Sequence, residues 1–149
     1  MNKTERALKI LLFLVGIVSL PAVIAVFMPY SWLVRGVELA EPGTPVKVLV
    51  SYLARLLSAY YFIQGGLLII FATDVRRYAV PIRWVMICWL VAVSSFLIYG
   101  VPSLVKGGFG WFIWFVAGDV AFGLVMAVVV LLLQWNIAKD EDRQVPGEK

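Results

Sequence analysis

The stretch WFIWFVAGDVAFGLVMAVVVLLLQW, residues 111–135, contains one charged side chain, Asp119, and is otherwise almost wholly apolar. A helix rises 1.5 Å per residue, so about 20 apolar residues suffice to cross a hydrocarbon core of about 30 Å. The stretch is longer than this minimum, and it therefore predicts a membrane-spanning helix that is somewhat tilted.

Three further apolar runs precede this stretch, which predicts four spans in a single domain. Pro21 lies within the first run and predicts a kink there, because proline cannot donate a backbone hydrogen bond. That run is longer than the roughly 7–15 apolar residues of a cleavable signal peptide, and no A-x-A site follows it, so we expect it to be retained. The sequence thus predicts an all-α, four-helix transmembrane bundle. The predicted spans are residues 10–28, 48–73, 83–101 and 111–135, followed by a disordered polar tail at residues 138–149.

The composition is that of a membrane protein rather than of a soluble domain. Hydrophobic residues make up 62% of the chain and charged residues 15%, against roughly 45–50% and about 25% in soluble domains. There is no histidine, which removes the commonest general base and metal ligand, and the single cysteine, Cys88, leaves no pair for redox chemistry. We therefore predict no catalytic residues, no metal and no cofactor, and expect a protein that is not an enzyme.

The basic residues are distributed unequally between the two ends of the predicted bundle. The leader, the turn between the second and third spans, and the tail carry nine of them, whereas the loops at the other end carry three. The positive-inside rule then places both termini in the cytoplasm. No basic face remains to grip a phosphate backbone, so nucleic acid is not an expected partner. The nine are Lys3, Arg6, Lys9, Arg76, Arg77, Arg83, Lys139, Arg143 and Lys149, and the three are Arg35, Lys47 and Lys106.

The longest loop between spans, residues 29–47, allows two interpretations. Apolar residues alternate with charged ones from Trp32 to Glu41, which suits a short helix lying on the outer leaflet. A loop anchored at the membrane surface by Trp32 fits the composition equally well.

Two ionisable residues of opposite sign, Arg55 and Asp119, lie inside the predicted spans. Arg55 is about 10 Å along the second span and Asp119 about 12 Å along the fourth, both counted from the outer side. A charge at this depth is costly unless it is paired, so we expect the two side chains to form an ion pair. The candidate intramembrane polar site comprises Arg55, Asp119, Ser58, Tyr60 and Gln64, with the outer loop's Trp32 and Val37 as its roof.

Three interpretations of this pair remain open on sequence alone. The favoured one is an interhelical clamp that fixes the register of the bundle. The second is a site that responds to protons or to a ligand. In the third, Arg55 extends to the outer membrane surface and never meets Asp119.

Three short motifs lie around the first three spans: Met28-Pro29-x-Ser31-Trp32, Tyr52-Leu53-Ala54-Arg55-x-x-Ser58-x-Tyr60, and Asp74-Val75-Arg76-Arg77-Tyr78 followed by Pro81-x-Arg83. Together they resemble a group of small bacterial four-helix membrane proteins of unassigned function. The resemblance implies the same four-span bundle and a location in the bacterial inner membrane, and it implies no activity, substrate or cofactor. The DoxX-like group is similar in general shape only.

The leading functional hypothesis is a non-enzymatic structural or assembly component of the membrane. Its partners would be the lipid bilayer and other membrane proteins or further copies of the chain. The alternative is a small transporter or a lipid- or small-molecule-binding protein that uses the Arg55–Asp119 pair. A wet cavity open to the outer leaflet would favour the alternative, and a closed, dry contact would favour the structural role.

Overall fold

The computed structural model describes residues 3–40, 43, 47–102 and 112–144, and the regular elements within these ranges are all helical. Four of the helical segments are long and apolar enough to cross a membrane, which confirms the predicted number of apolar helices. These segments are Lys3–Phe27, Val48–Thr73, Ala79–Gly100 and Val116–Lys139.

The first segment is broken at the predicted proline. Helix α1 (Lys3–Ser19) ends in a 3-10 turn (Leu20–Ala22) that contains Pro21, and α2 (Val23–Phe27) continues beyond it. The remaining elements are α3 (Tyr30–Ala40), α4 (Val48–Thr73), α5 (Ala79–Ser95) with a π-helical turn (Phe96–Gly100), and α6 (Phe112–Gln144). The outer loop therefore contains a helix, α3, as the first of its two interpretations predicts.

The helices extend beyond the predicted spans at three places. The leader is already helical from Lys3, and α5 begins at Ala79 rather than at residue 83. Pro81 is compatible with this start of α5, because proline is tolerated in the first turn of a helix. A backbone N–H at that position would have no acceptor within the helix. The tail is not disordered from residue 138, since α6 continues to Gln144 through Ala, Lys, Glu and Arg, which favour helix.

The helices pack as two pairs. The first segment lies along α4, α5 lies along α6, and α1 also contacts α6. The helices of the first pair approach each other closely at Gly16 and Gly65, where a Cβ added to either residue would lie 2.8 Å from the other's carbonyl oxygen. Small residues that permit such an approach are typical of contacts between membrane helices.

The buried core lies at the end of the bundle that carries the N-terminus and the turn between α4 and α5. We call this the core end. Polar contacts close it: Arg76 pairs with Glu5 at 3.3 Å, and Gln134 donates to the carbonyl oxygen of Ala79 at 3.3 Å. The core end is thus held together by apolar packing and by these two polar contacts. Its buried residues are Leu8, Leu12, Leu68, Phe71, Ala72, Val75, Ile82, Met86, Ala127 and Val130.

Candidate functional site

The predicted ion pair between Arg55 and Asp119 is not formed. The Nη2 atom of Arg55 donates a hydrogen bond of 3.1 Å to the carbonyl oxygen of Met28, whereas Asp119 accepts one from Tyr61. Neither Arg55 nor Asp119 forms a salt bridge with another described residue. The prediction of a direct Arg55–Asp119 contact is therefore wrong.

The faces of α4 explain why Arg55 has another partner. Arg55 and Gly65 lie on the side of α4 that packs against the first segment, where the carbonyl of Met28 follows the end of α2. A helix C-terminus favours a cation, because its last carbonyls lack partners and carry partial negative charge. Tyr61 is six residues farther along α4, which turns it about 120° away from Arg55 at 3.6 residues per turn. Equal depth in the bilayer does not bring two side chains onto facing sides of their helices.

Tyr61 and Asp119 form a hydrogen bond between α4 and α6. The Tyr61 hydroxyl donates to Oδ2 of Asp119 at 3.2 Å. The structure gives the other oxygen, Oδ1, no partner among the described residues. Asp119 is exposed in the helical bundle, and Tyr61 is half-buried. The carboxylate is therefore held in place by one neutral donor and still has capacity to accept another hydrogen bond.

Two cavities meet at this hydrogen bond. The cavity nearer the core end, which we call the inner cavity, has a volume of about 260 Å³. The cavity farther from the core end, which we call the outer cavity, has a volume of about 730 Å³. Tyr61, Trp89 and Asp119 line both. We call the two cavities together the cleft.

The cleft lies between the first segment with α4 on one side and α5 with α6 on the other. Its floor, in the inner cavity, includes four residues of the buried core: Leu12, Leu68, Met86 and Ala127. The outer cavity extends away from the core end, between Leu57 and Tyr60 on α4, Phe96 after α5, and Val116 on α6. The cleft is therefore closed by the core at one end and widens between the two helix pairs toward the other.

The walls of the cleft are apolar apart from a few convergent polar groups. Asp119 is the one charged side chain among the described residues that line it. Gln64 and Trp89 also line the inner cavity, and both Oε1 of Gln64 and Nε1 of Trp89 are buried without a hydrogen-bond partner among the described residues. A buried polar atom without a partner costs about 1–3 kcal/mol, so two of them beside one cavity call for an explanation.

Aromatic rings line the cleft together with the Asp119 carboxylate. Tyr60 packs edge-on against Tyr61, with ring centroids 6.3 Å apart, and Trp89 on α5 lines the same outer cavity. Gly123 makes room for the indole, because a Cβ at this position would lie 2.4 Å from Cζ3 of Trp89. The glycine four residues after Asp119 thus holds an aromatic ring next to the acid.

The structure brings together only part of the predicted site. Asp119, Tyr60 and Gln64 line the cleft, but Arg55 and Ser58 do not. The Ser58 hydroxyl donates back to the carbonyl of Ala54 at 2.8 Å, as serine commonly does within a helix. The predicted roof is also absent from the cleft, since neither Trp32 nor Val37 lines it.

Sequence reasoning missed Trp89 and understated Tyr61. The helical period of α4 could have indicated the role of Tyr61. It places four residues on one face of the helix, at i, i+4, i+7 and i+11: Leu57, Tyr61, Gln64 and Leu68. The signal for Trp89 was weaker. An indole in an apolar span suggests packing or lipid contact until its partner Gly123 on α6 is known.

Comparison with protein-family models, curated proteins and solved structures gives no match for this chain. Within the described ranges, no three His, Cys, Asp or Glu side chains gather in one place as a metal-ligand cluster would.

Proposed function

We propose that this chain is a multi-pass membrane protein of the bacterial inner membrane that binds an amphipathic small molecule in the cleft without transforming it chemically. Its four apolar helices would span the bilayer, with both termini in the cytoplasm. The bound molecule would place its apolar body between the two helix pairs and its polar head at Asp119 and Tyr61.

The location in a membrane is supported by what the helices expose. Large apolar side chains point outward on all four segments, for example Val18 at 77%, Ile63 at 60%, Val91 at 61% and Val125 at 61% of their full accessible area. Water would disfavour such a surface, whereas lipid tails would not. The excess of basic residues at the core end supports a cytoplasmic position for that end.

The observation that carries the binding proposal is the Tyr61–Asp119 hydrogen bond at the junction of two cavities. Ligand sites are typically clefts of about 300–1,000 Å³ with mainly apolar walls and a few convergent polar groups. The outer cavity, at about 730 Å³, falls in this range. The cleft matches that description in size, lining and placement between helices.

The cleft favours the ligand-binding hypothesis over a purely structural role. A bundle that served only to pack would gain by filling this space, because an empty cavity forfeits dispersion contacts along its whole lining. It would also gain by pairing Gln64 and Trp89, whose buried polar atoms have no partners. Occupation by a ligand accounts for the space and for the unpaired groups together.

Filling the cleft tests the proposal. Ala92 lines the outer cavity, while its neighbour Val91 on the same helix is exposed and does not. Ala92→Trp should block the cleft, and Val91→Trp is the matched control. We expect native mass spectrometry of the protein, extracted in a mild detergent, to find a bound apolar molecule on the wild type and on Val91→Trp but not on Ala92→Trp.

A second blocking variant guards against a misfolded first one. Val120→Phe would enter the outer cavity from a different helix, α6. If both blocking variants retain the same bound molecule as the wild type, or if the carefully extracted wild type carries none and takes up no apolar probe, the cleft is not a binding site.

A further inference from the structure

We propose that the cleft selects lipophilic cations, whose positive charge lies against the Asp119 carboxylate and whose apolar body lies among the surrounding rings. This inference rests on the proposed function and adds the charge of the ligand to it. The chemical class is a monovalent organic cation with an aromatic or alkyl body, as opposed to an anion or a neutral molecule of the same size.

The charged lining of the cleft is negative. Asp119 is the one charged side chain among the described residues that line it, and no basic side chain accompanies it there. Arg55, the other charge within the apolar segments that sequence places near Asp119, donates instead to the carbonyl of Met28. The carboxylate is thus left to a neutral donor, the Tyr61 hydroxyl.

Among the described residues, this carboxylate has no oppositely charged partner of the kind that a charge at membrane depth normally requires. A charged side chain within a bilayer is costly, and most are paired with an opposite charge. One hydrogen bond from a phenol offsets only part of that cost. A cation entering the cleft would supply the missing opposite charge, whereas an anion would meet repulsion in surroundings of low dielectric constant, where Coulomb interactions are strong.

The aromatic lining is the second and independent step. Tyr60, Tyr61, Trp89 and Phe96 all line the outer cavity together with Asp119. The face of an aromatic ring attracts a cation within about 6 Å of its centroid, and the attraction is larger when the cation is removed from water. The carboxylate and the aromatic rings therefore both favour a positively charged ligand.

The size of the cleft limits the size of the ligand's apolar body. The outer cavity, about 730 Å³, accommodates a molecule with several rings or a folded alkyl chain. The charge would lie where the two cavities meet, because Asp119 lines both. The headgroup of an anionic phospholipid does not fit this chemistry, since its phosphate would lie against the carboxylate.

A pair of ions with the same shape and opposite charge tests the inference directly. Tetraphenylphosphonium and tetraphenylborate differ mainly in the sign of their charge. Binding of each is measured by equilibrium dialysis against the protein in phosphatidylcholine nanodiscs, and binding to empty nanodiscs is subtracted. We expect saturable binding of tetraphenylphosphonium and no saturable binding of tetraphenylborate.

Variants of the acid then assign the preference to Asp119. Asp119→Asn should weaken tetraphenylphosphonium binding about tenfold or more, the loss expected for an interaction with a charged group. Asp119→Glu keeps the charge and should retain the preference. Asp74→Asn is the control, because Asp74 is an acid at the end of α4 that does not line the cleft.

The outcomes separate this inference from the proposed function. If both ions bind equally and Ala92→Trp abolishes both, the cleft binds ligands and the charge preference is refuted. If Ala92→Trp affects neither ion, both the charge preference and the proposed function fail. Should Asp119→Asn lose its fold, seen as aggregation in gel filtration, the comparison of the two ions on the wild type still decides the question.

Discussion

The hydroxyl of Tyr61 lies 3.2 Å from Oδ2 of Asp119, and this hydrogen bond connects α4 to α6 across the cleft. It is the point at which the two helix pairs, otherwise separated here by the two cavities, are joined by polar side chains. The same contact orients the carboxylate, so it has a structural consequence and a functional one. The two can be measured separately.

The structural consequence is an energetic coupling between Tyr61 and Asp119. In a double-mutant cycle of Tyr61→Phe and Asp119→Ala, we expect a coupling free energy of about 1 kcal/mol, between the average for membrane hydrogen bonds and the value for bonds to charged groups. The measurement is reversible unfolding by dodecyl sulfate in mixed micelles. Strictly additive losses would show that the hydrogen bond contributes nothing to stability.

A second cycle checks the partner of Arg55. Because Arg55 donates to Met28 and not to Asp119, the losses in free energy of unfolding for Arg55→Met and Asp119→Ala should add to within about 0.5 kcal/mol, as for independent sites. Arg55→Met should also speed amide hydrogen exchange at the end of α2. A coupling free energy between Arg55 and Asp119 as large as that between Tyr61 and Asp119 would contradict this. It would indicate that the ion pair expected from their similar depth in the membrane does form.

The two adjacent glycines of α4 should respond oppositely to the same substitution. A Cβ on Gly65 would lie 2.8 Å from the carbonyl oxygen of Gly16, whereas a Cβ on Gly66 meets nothing within 4 Å. Gly65→Ala should therefore destabilise by about 1–3 kcal/mol through overpacking. Gly66→Ala should be neutral or slightly stabilising, because alanine favours a helix over glycine. Equal unfolding midpoints for the two variants would contradict the close crossing of α1 and α4.

Hydropathy predicted the helices because each long apolar run is a local property of the chain. The break at Pro21 was predictable for the same reason, since proline acts on its own turn. The partner of Asp119 was not predictable, because it depends on which sides of α4 and α6 face each other. Depth along a span fixes one coordinate of a side chain, and the rotation of each helix, set by contacts such as Gly16 with Gly65, fixes the other.

The orientation of the bundle makes a separate prediction. Reporter fusions after Lys149 and within the loop at Gly43 should lie on opposite sides of the membrane, with the C-terminal reporter in the cytoplasm. The reason is the excess of nine basic residues over three between the two ends. A C-terminal reporter active in the periplasm would reverse the orientation, and it would move the wide end of the cleft to the cytoplasmic side.

The two side chains of the salt bridge at the core end differ in exposure, so removing one or the other charge should change the free energy of unfolding by different amounts. The side chain of Glu5 is 9% exposed, whereas that of Arg76 is 53% exposed, with 3.3 Å between Oε2 and Nη2. Arg76→Gln leaves a buried carboxylate without its ion pair and should lower the free energy of unfolding by about 1–3 kcal/mol. Glu5→Gln leaves an arginine that can reach water, and glutamine can still accept its hydrogen bond, so the loss should be smaller.

The double variant Glu5→Gln/Arg76→Gln should recover part of the stability lost in Arg76→Gln, because no buried charge is then left unpaired. Arg6→Gln is the matched control, since Arg6 is an exposed arginine next to Glu5 on α1. The four variants and the wild type are compared by the same unfolding measurement in mixed micelles. If Arg76→Gln and Arg6→Gln lose the same free energy, the Glu5 carboxylate gains nothing from its partner, and the core end is held by apolar packing alone.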